Sequence, residues 1–265
     1  MNWKTLDIRT DERGVAQVRL NTPEKRNVLS ARMIAELTEM AGTIGNDSRT
    51  RAIVLSGAGS TFCAGADLTW MKAQIEADRA QRMREARKLA EMLQAMNTIR
   101  APLIGRLQGG AFGGGIGMAC VCDVTLADTT TKFCFSETRL GIIPATIGPY
   151  VLARMGEGNA RRVFMSARVF DAVEAERLGI VSRAVTGEYL DQAVAAEVAP
   201  YLHVAPGAVA AAKKLARDLG PRIDAEVIDD TIRRLADAWE EPEAEHGIAA
   251  FLDKRPAKWA APIRG

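Results

Sequence analysis

The stretch LQGGAFGGGIGM at residues 107–118 decides the predicted fold. It follows an apolar run at 102–107 that is typical of a buried strand, and its glycines leave the backbone bare of side chains. Helical character resumes at about Gly114, so the N–H groups of the loop are expected at the positive end of a helix dipole. The stretch therefore predicts a strand, a loop and a helix start that together offer a place for a developing negative charge.

A second loop of the same kind lies upstream. The sequence GAGSTFCAGADL at 57–68 follows a continuous apolar run at 52–55, which suits a strand covered on both faces, and precedes a helix predicted to begin near Asp67. One glycine-rich turn is more often a tight connection than an anion site. The first loop also lacks a nucleotide-binding pattern, because Met118 stands where G-x-G-x-x-G needs its third glycine. It is the pair of loops that favours a site built from backbone N–H groups.

Composition and charge exclude several kinds of partner. The chain has 265 residues, 48% of them apolar, which is enough for one large core. A formal charge of +2 with both signs interspersed indicates neither nucleic acid nor a membrane as the main partner. No apolar run approaches the roughly 20 residues that span a bilayer, and the first residues read as two strands joined at 12–14 rather than as a targeting peptide. We therefore expect a cytoplasmic protein.

Cysteine and histidine chemistry is not indicated. The cysteines lie in or beside apolar runs without metal-ligand spacing: Cys63, Cys120, Cys122 and Cys134. Buried thiols in a reducing compartment are the plain interpretation, and no metal is expected. The two histidines, His203 and His246, are near no nucleophile motif, so Ser-His or Cys-His catalysis has little support. If the protein does chemistry, carboxylates and backbone are the expected agents.

The remaining pattern predicts an α/β fold that becomes helical toward its C-terminus. Ser30 is predicted to cap a helix with Ile34, Leu37, Ala41 and Ile44 on its apolar face. A helix over 78–98 has a basic outer face, for which a solvated helix with internal ion pairs is favoured over a binding surface. After residue 144 strand character returns only at 180–185, and helices are predicted at 150–155, 159–166, 172–178, 189–202, 206–217, 224–239 and 242–252.

Four blocks of sequence resemble a known family. They read FCAGADL at 62–68, QGGAFGGGIGMACVCD at 108–123, FSETRLGIIP at 135–144 and FDAVEAERLGIVSRAV at 170–185. Their order and spacing are similar to those of the crotonase superfamily, the enoyl-CoA hydratases and isomerases. The resemblance implies an α/β crotonase-type spiral of ββα units over 1–200 that binds acyl-CoA and carries catalysis. It also implies a C-terminal helical region over 201–265 for trimerisation and closure over CoA.

The resemblance also implies a reaction and the residues that carry it. Adding water to an unsaturated thioester builds enolate charge on the thioester oxygen, and converging backbone N–H groups lower that barrier. By motif position the donors are Ala66 and Gly114. Well-studied hydratases of the family use two glutamates, whereas this sequence has only Glu137, because Gly117 stands at the other position. The apolar neighbours of Glu137 are expected to raise its pKa toward the working pH.

A single glutamate leaves three functions open. Glu137 can serve a hydratase, a Δ3,Δ2-enoyl-CoA isomerase that moves one proton between two carbons, or a protein that binds acyl-CoA without turnover. The local sequence is most similar to bacterial methylglutaconyl-CoA hydratases of leucine breakdown and related hydratases of terpene breakdown, which favours hydration. The helix over 31–44 carries no lysine, which argues against the RNA binding of one eukaryotic relative. No cofactor is implied, since CoA is part of the substrate, and the expected assembly is a homotrimer or a dimer of trimers.

Binding of the CoA and acyl portions is assigned by the same resemblance. The implied substrate-binding residues are Lys25, Arg26, Val28, Ala64, Gly65, Asp67, Leu68, Trp70, Gly113, Arg139 and Lys254. Lys254 is expected near the phosphates, from the same or a neighbouring subunit, and Trp70 either walls the acyl pocket or is simply core. Arg139 would meet a second substrate carboxylate if its segment were extended and in phase with Glu137, or else form an interface ion pair.

Overall fold

A computed structural model describes residues 3–260. The strands are β1 (Leu6–Thr10), β2 (Val15–Leu20), β3 (Ala52–Gly57), β4 (Leu103–Leu107), β5 (Gly110–Phe112), β6 (Val124–Asp128), β7 (Lys132–Cys134), β8 (Phe170–Asp171) and β9 (Arg183–Val185). The helices are α1 (Ala31–Gly42), α2 (Leu68–Glu76), α3 (Arg79–Thr98), α4 (Gly114–Cys120), α5 (Gly148–Phe164), α6 (Ala172–Arg177), α7 (Gly187–Val198), α8 (Pro206–Leu219), α9 (Ala225–Glu240) and α10 (Pro242–Leu252).

Two sheets organise the chain. The larger has the strand order β1-β2-β3-β4-β6-β9 and is parallel except for the hairpin of β1 and β2. The smaller has the order β5-β7-β8. Ile53 and Leu55 of β3 face the main hydrophobic core, while Ala52 and Val54 face a cluster that includes side chains of α7. Because β3 is covered on both faces, its continuous apolar run is explained, and the predicted α/β class is confirmed.

Most of the apolar mass lies in one main core, and a separate cluster forms at the C-terminal helices. The main core contains the largest fully buried rings, among them Phe62, Phe133, Phe135 and Tyr150. We call the second group the C-terminal cluster; its buried members are Met71, Ala86, Ala90, Leu140, Ile228, Ile232, Leu235, Trp239, Ala244 and Ile248. The helices α9 and α10 therefore share their core with α2 and α3. The predicted division at residue 200 stays a prediction, and residues 261–265 of its second part lie outside the described residues.

The helix α1 begins where the sequence predicted it and buries one unexpected side chain. Ser30 accepts a hydrogen bond from the N–H of Met33 and so caps the helix. Ile34 is only half-buried, whereas Glu36 is 2% exposed. The Glu36 carboxylate accepts hydrogen bonds from the main-chain N–H groups of Lys4 and Thr5, from the Thr5 hydroxyl and from Arg32. Burial alone would raise its pKa, but these donors outweigh burial and lower the pKa of Glu36 to about 2.

Two arginines on the basic face of α3 form ion pairs with another helix and not within α3. Arg79 binds Asp237 and Glu240 of α9, and Arg87 binds Asp229 of the same helix. The expectation of internal pairs holds for Lys88 and Glu85 but is wrong for these two arginines. The reason is that α9 lies along α3, which no local pattern in the sequence indicates.

The middle of the chain contains two features that the sequence pattern did not predict. The strand β8 is two residues long and pairs with β7, so the expectation of strand character only at 180–185 is wrong. Its pairing accompanies stacking of Phe133 on Phe170, a tertiary contact. The predicted helices at 150–155 and 159–166 occur as one element, α5, with a break at Gly156, whose φ is 71°.

A helix that crosses a membrane must be long and apolar. No single helix within residues 3–260 meets that need. One pair, Gly187–His203 with Pro206–Leu219, meets it only when both members are taken together across a bend of 110°.

Candidate active site

The two predicted loops contact each other through their main chains. The N–H of Cys63 donates to the carbonyl of Gly110 at 3.1 Å, and the N–H of Phe112 donates to the carbonyl of Cys63 at 3.1 Å. The N–H of Leu29 donates to the carbonyl of Gly65 at 2.8 Å. Three segments that are distant in sequence thus meet at the start of α4.

Gly65 allows the close approach of the two loops. Its φ is +86°, and a Cβ placed on it would lie 2.6 Å from the carbonyl oxygen of Phe112 and 3.6 Å from the N atom of Gly114. Because any larger residue would push the loops apart, the glycine is needed both for its conformation and for its size. The backbone of Gly65 and Ala66 is thereby held beside the first residue of α4.

Ala66 and Gly114 each present an unused donor. Within the described range 3–260, neither N–H donates a hydrogen bond to a protein acceptor. Ala66 is exposed and Gly114 is half-buried, so both groups are reachable from solvent. Gly114 is also the first residue of α4, where the helix leaves its N–H groups unpaired. Main-chain donors of this kind are what an oxyanion site requires.

Glu137 lies beside this pair of turns. It begins a short 3-10 turn, Glu137–Leu140, and a Cβ placed on Gly113 would lie 2.8 Å from its Oε1. The residue is partly exposed, but its Oε2 is shielded from solvent and has no hydrogen-bond partner among the described residues. Burial raises the pKa of Glu137 to about 7, against an ordinary 4.5. The carboxyl can therefore take up or release a proton near neutral pH.

Gly117 lies one helical turn beyond Gly113 on α4. A Cβ placed on it would lie 3.0 Å from the Cβ of Ile147 and 3.7 Å from Cδ2 of Leu93. Ile147 is itself 2% exposed and belongs to the main core. An apolar side chain therefore fills the space where a longer residue at position 117 would extend.

The turn at 23–29 is tied to the upstream loop by a residue that sequence reasoning missed. Asn27 is fully buried, and its amide donates to the carbonyls of Ala58 and Thr61 at 2.8 Å. Its carbonyl oxygen accepts from the N–H of Thr22. Asparagine tolerates the left-handed conformation found here, with φ of 53°, and that preference was the available signal.

Most of the predicted CoA-binding residues are brought together by this turn. The N–H of Ala64 donates to the carbonyl of Arg26 at 3.0 Å. Lys25 and Arg26 are exposed, and Val28 is half-buried. These hydrogen bonds bring the segment with Lys25, Arg26 and Val28 beside the segment with Ala64, Gly65, Asp67 and Leu68. Their contact with CoA stays a prediction.

Asp67 and Trp70, at the start of α2, both have structural partners. The Asp67 carboxylate accepts from the N–H groups of Thr69 and Trp70 and so caps the helix. Trp70 is half-buried and meets Trp239 edge-on, with ring centroids 6.4 Å apart. Trp70 therefore packs on the C-terminal cluster, and a second role as a wall of the acyl pocket stays a prediction.

Arg139 is not in phase with Glu137, so the prediction based on an extended segment is wrong. The segment is a 3-10 turn and not extended, so side chains two positions apart do not share a face. The Arg139 guanidinium instead donates to the carbonyl of Ala167 at 2.6 Å. Lys254 lies after the end of α10 with its side chain exposed, and its predicted contact with CoA phosphates stays a prediction.

The thiols have the buried setting that the sequence indicated. All four cysteines are free and buried. Burial raises the pKa of the Cys63, Cys120 and Cys122 thiols to about 12 and also raises the pKa of Cys134. Across residues 3–260 no group of His, Cys, Asp and Glu side chains is placed to hold a metal ion.

Comparisons with known proteins agree on one family. A family model described as enoyl-CoA hydratase/isomerase matches residues 10–262. The chain is 31% identical to the enoyl-CoA hydratase ACTT6 of Alternaria alternata, over 90% of this chain and 78% of that protein. Among solved structures, an enoyl-CoA hydratase from Shewanella pealeana is similar with a TM-score of 0.79 and 33% identity, covering 97% of this chain and 96% of its own. An enoyl-CoA hydratase/isomerase from Marinobacter aquaeolei is similar with a TM-score of 0.77 and 35% identity, covering 97% and 99%.

Proposed function

The chain belongs to the enoyl-CoA hydratase/isomerase family, and on that premise we propose that it adds water across the double bond of an α,β-unsaturated acyl-CoA, with Ala66, Gly114 and Glu137 as the groups that do the chemistry. The observation that carries the proposal is the meeting of two unpaired N–H groups with one carboxyl of raised pKa. Hydration needs both, since one centre gains negative charge while another exchanges a proton.

The two N–H groups act on the thioester. As the deprotonating water attacks the β-carbon, electron density moves to the thioester oxygen and forms an enolate. Donors already fixed by the backbone stabilise that charge without reorganising, and they act most strongly where water is excluded. Ala66 is supplied by the loop before α2 and Gly114 by the start of α4, whose dipole adds to the effect.

Glu137 handles the proton. In its ionised form the carboxylate accepts a proton from the attacking water, and in its neutral form it returns that proton to the α-carbon. A pKa of about 7 suits both steps, because neither form is strongly disfavoured at neutral pH. One carboxyl is sufficient if the two transfers occur in sequence on the same side of the double bond.

Isomerisation is a second candidate, favoured by one observation. Ile147 fills the space beside Gly117, so α4 offers no second carboxylate on that face. A single carboxyl that carries one proton between the α- and γ-carbons would give a Δ3,Δ2-enoyl-CoA isomerase, and the same two N–H groups would hold its dienolate.

One experiment separates these functions and tests the substrate. The protein is incubated in heavy-oxygen water with a panel of enoyl-CoAs, among them crotonyl-CoA, 3-methylglutaconyl-CoA and 3-enoyl isomers. We expect mass gain by incorporation of labelled oxygen, with 3-methylglutaconyl-CoA or a related branched thioester turned over best. A shifted double bond without added oxygen would support the isomerase instead. Binding with no product from any member of the panel would leave only acyl-CoA binding.

We also propose that the protein assembles into trimers or dimers of trimers, with α8 among the contacts. None of the α8 residues is buried, and two of its leucines are largely exposed: Leu215 by 58% and Leu219 by 80%. Apolar side chains exposed to this degree on one helix are typical of a surface that another subunit covers. Light scattering on wild type and on Leu215→Glu/Leu219→Glu tests this, and we expect dissociation of the variant.

A further inference from the structure

The turn that carries Glu137 lies directly against the backbone of α10. A Cβ placed on Gly247 would lie 2.5 Å from the carbonyl oxygen of Leu140 and 2.6 Å from its carbonyl carbon. Atoms at such distances must move apart, so the Leu140–Gly141 peptide occupies the space that any side chain at 247 would need. The contact exists only because position 247 is glycine.

A second glycine completes the contact from the other side. Gly141 has a φ of +74°, and a Cβ placed on it would lie 2.8 Å from the N atom of Ala244. Ala244 is fully buried and lies one helical turn before Gly247. Two main chains therefore pack against each other without intervening side chains, one from the 3-10 turn and one from α10.

Hydrogen bonds within the turn connect this contact to Glu137. The N–H of Ile142 donates to the carbonyl of Glu137 at 3.1 Å, and the N–H of Gly141 also points at that carbonyl. On its other side the turn meets the glycine loop, where Gly113 borders the Glu137 carboxyl. The turn is thus held between α10 and the glycine loop. A displacement of the Leu140 main chain is transmitted to Glu137 because the hydrogen bond from Ile142 to the Glu137 carbonyl closes the turn.

We propose that Gly247 is a positioning residue that sets where the Glu137 carboxyl lies relative to the Ala66 and Gly114 donors. This inference rests on the proposed function and adds to it a role for α10, a helix that supplies neither of the two N–H donors. An added methyl group at 247 moves the Leu140–Gly141 peptide by roughly 0.5 to 1 Å, given ordinary contact distances. A displacement of that size at a catalytic group lowers turnover by roughly tenfold to a hundredfold.

The test is Gly247→Ala, with Gly42→Ala as the matched control. A Cβ at Gly42, the last residue of α1, meets no atom within 4 Å, so the control adds the same methyl group without a contact. On the enoyl-CoA that wild type turns over best, we expect kcat of Gly247→Ala to fall roughly tenfold to a hundredfold with KM changed less than about threefold. The acid limb of its pH profile should move to lower pH, because a displaced carboxyl gains solvent.

Each outcome decides the matter. Unchanged kcat and pH profile in folded Gly247→Ala overturn the positioning role while the proposed function stands. Circular dichroism checks folding, and Gly141→Ala probes the same contact from the other main chain. If neither variant folds, the contact serves folding instead of positioning, and the inference is also overturned.

Failure of the proposed function is recognised separately. If wild type turns over no enoyl-CoA, positioning is still measured by carbon-13 NMR titration of labelled glutamate side chains. A Glu137 titration that moves to lower pH in Gly247→Ala but not in Gly42→Ala supports the inference without any activity. Identical Glu137 titrations in all three proteins overturn it.

Discussion

Two glutamates, Glu36 and Glu137, have carboxyl oxygens shielded from water, and their surroundings have opposite effects on their pKa values. Glu36 in α1 accepts hydrogen bonds from Thr5, Lys4 and Arg32, and its pKa is lowered to about 2. Glu137 has an Oε2 with no partner among residues 3–260, and its pKa is raised to about 7. Burial disfavours the charge in both, so hydrogen-bond donors make the difference. A satisfied carboxylate anchors the N-terminal strand, whereas an unsatisfied one is ready to move protons.

The largest effect should separate the two glutamates by activity. We expect Glu137→Gln to lower kcat by about a thousandfold, because an amide cannot carry the proton. Glu36→Gln should leave kcat within about twofold, since Glu36 lies in the α1 anchor and not at the loops. Steady-state hydration of the best enoyl-CoA measures both. Comparable losses in the two variants would show that the contrast has no functional meaning.

A second effect divides the work of the site between carboxylate and backbone. Gly114 is the first residue of α4, a position that accepts proline, so Gly114→Pro removes the N–H with little disturbance of the helix. Gly114→Ala is its matched control, because it keeps the N–H and adds a similar contact with Leu29. We expect kcat of the proline variant to be roughly 100 to 1,000 times lower than that of the alanine variant. Equal rates would remove the Gly114 donor from the mechanism.

The third effect is on stability and has opposite signs at the two residues. The folded pKa of Glu137 lies above its ordinary 4.5, so the folded state holds the extra proton and loses stability as pH rises from about 4.5 through about 7. The folded pKa of Glu36 lies below 4.5, so its contribution is present above 4.5 and is lost as pH falls toward about 2. Each shift corresponds to roughly 3 kcal/mol at most.

Denaturant unfolding measures that difference directly. Relative to wild type, Glu137→Gln should become progressively more stable from pH 5 to pH 8. Glu36→Gln should be less stable by a constant amount over that range, and its deficit should shrink only as pH falls below about 4.5. Subtracting the wild-type curve cancels the other titrating groups. A Glu137→Gln curve that runs parallel to wild type from pH 5 to pH 8 would contradict the raised pKa.

The smallest effect concerns the exposed partner of Glu36. Arg32 donates to the carboxylate at 2.6 Å, but its own side chain is 59% exposed. Because solvent screens such a pair, Arg32→Met should lower the free energy of unfolding by less than about 1 kcal/mol. A loss approaching that of Glu36→Gln would mean that the ion pair, rather than the main-chain donors, holds Glu36 in place.

Features that depend on neighbouring residues were predictable from the sequence. The cap of α1 by Ser30 and the start of α2 near Asp67 agree with the prediction, since helix starts depend on the residues that follow. The two loops and the start of α4 at Gly114 also agree with the prediction, because glycine content sets them locally.

Features that depend on distant packing were not predictable. Ile147 against Gly117 and α10 against the turn of Glu137 join segments whose meeting no local pattern records. Arg139 was misplaced for a related reason: its segment was considered as a strand, whereas the left-handed Gly141 closes it into a turn. The proposed catalytic groups therefore came from sequence, and the contacts that surround them came from tertiary structure.

The buried thiols can report where the fold opens locally. Cys63 lies in the loop of Ala66, Cys134 is the last residue of β7, and Cys120 and Cys122 lie at the end of α4 and just after it. Because each is shielded and its pKa is raised, an alkylating reagent can modify it only when that part of the fold opens. The order in which the four cysteines become labelled would rank how often the parts of the fold around them open.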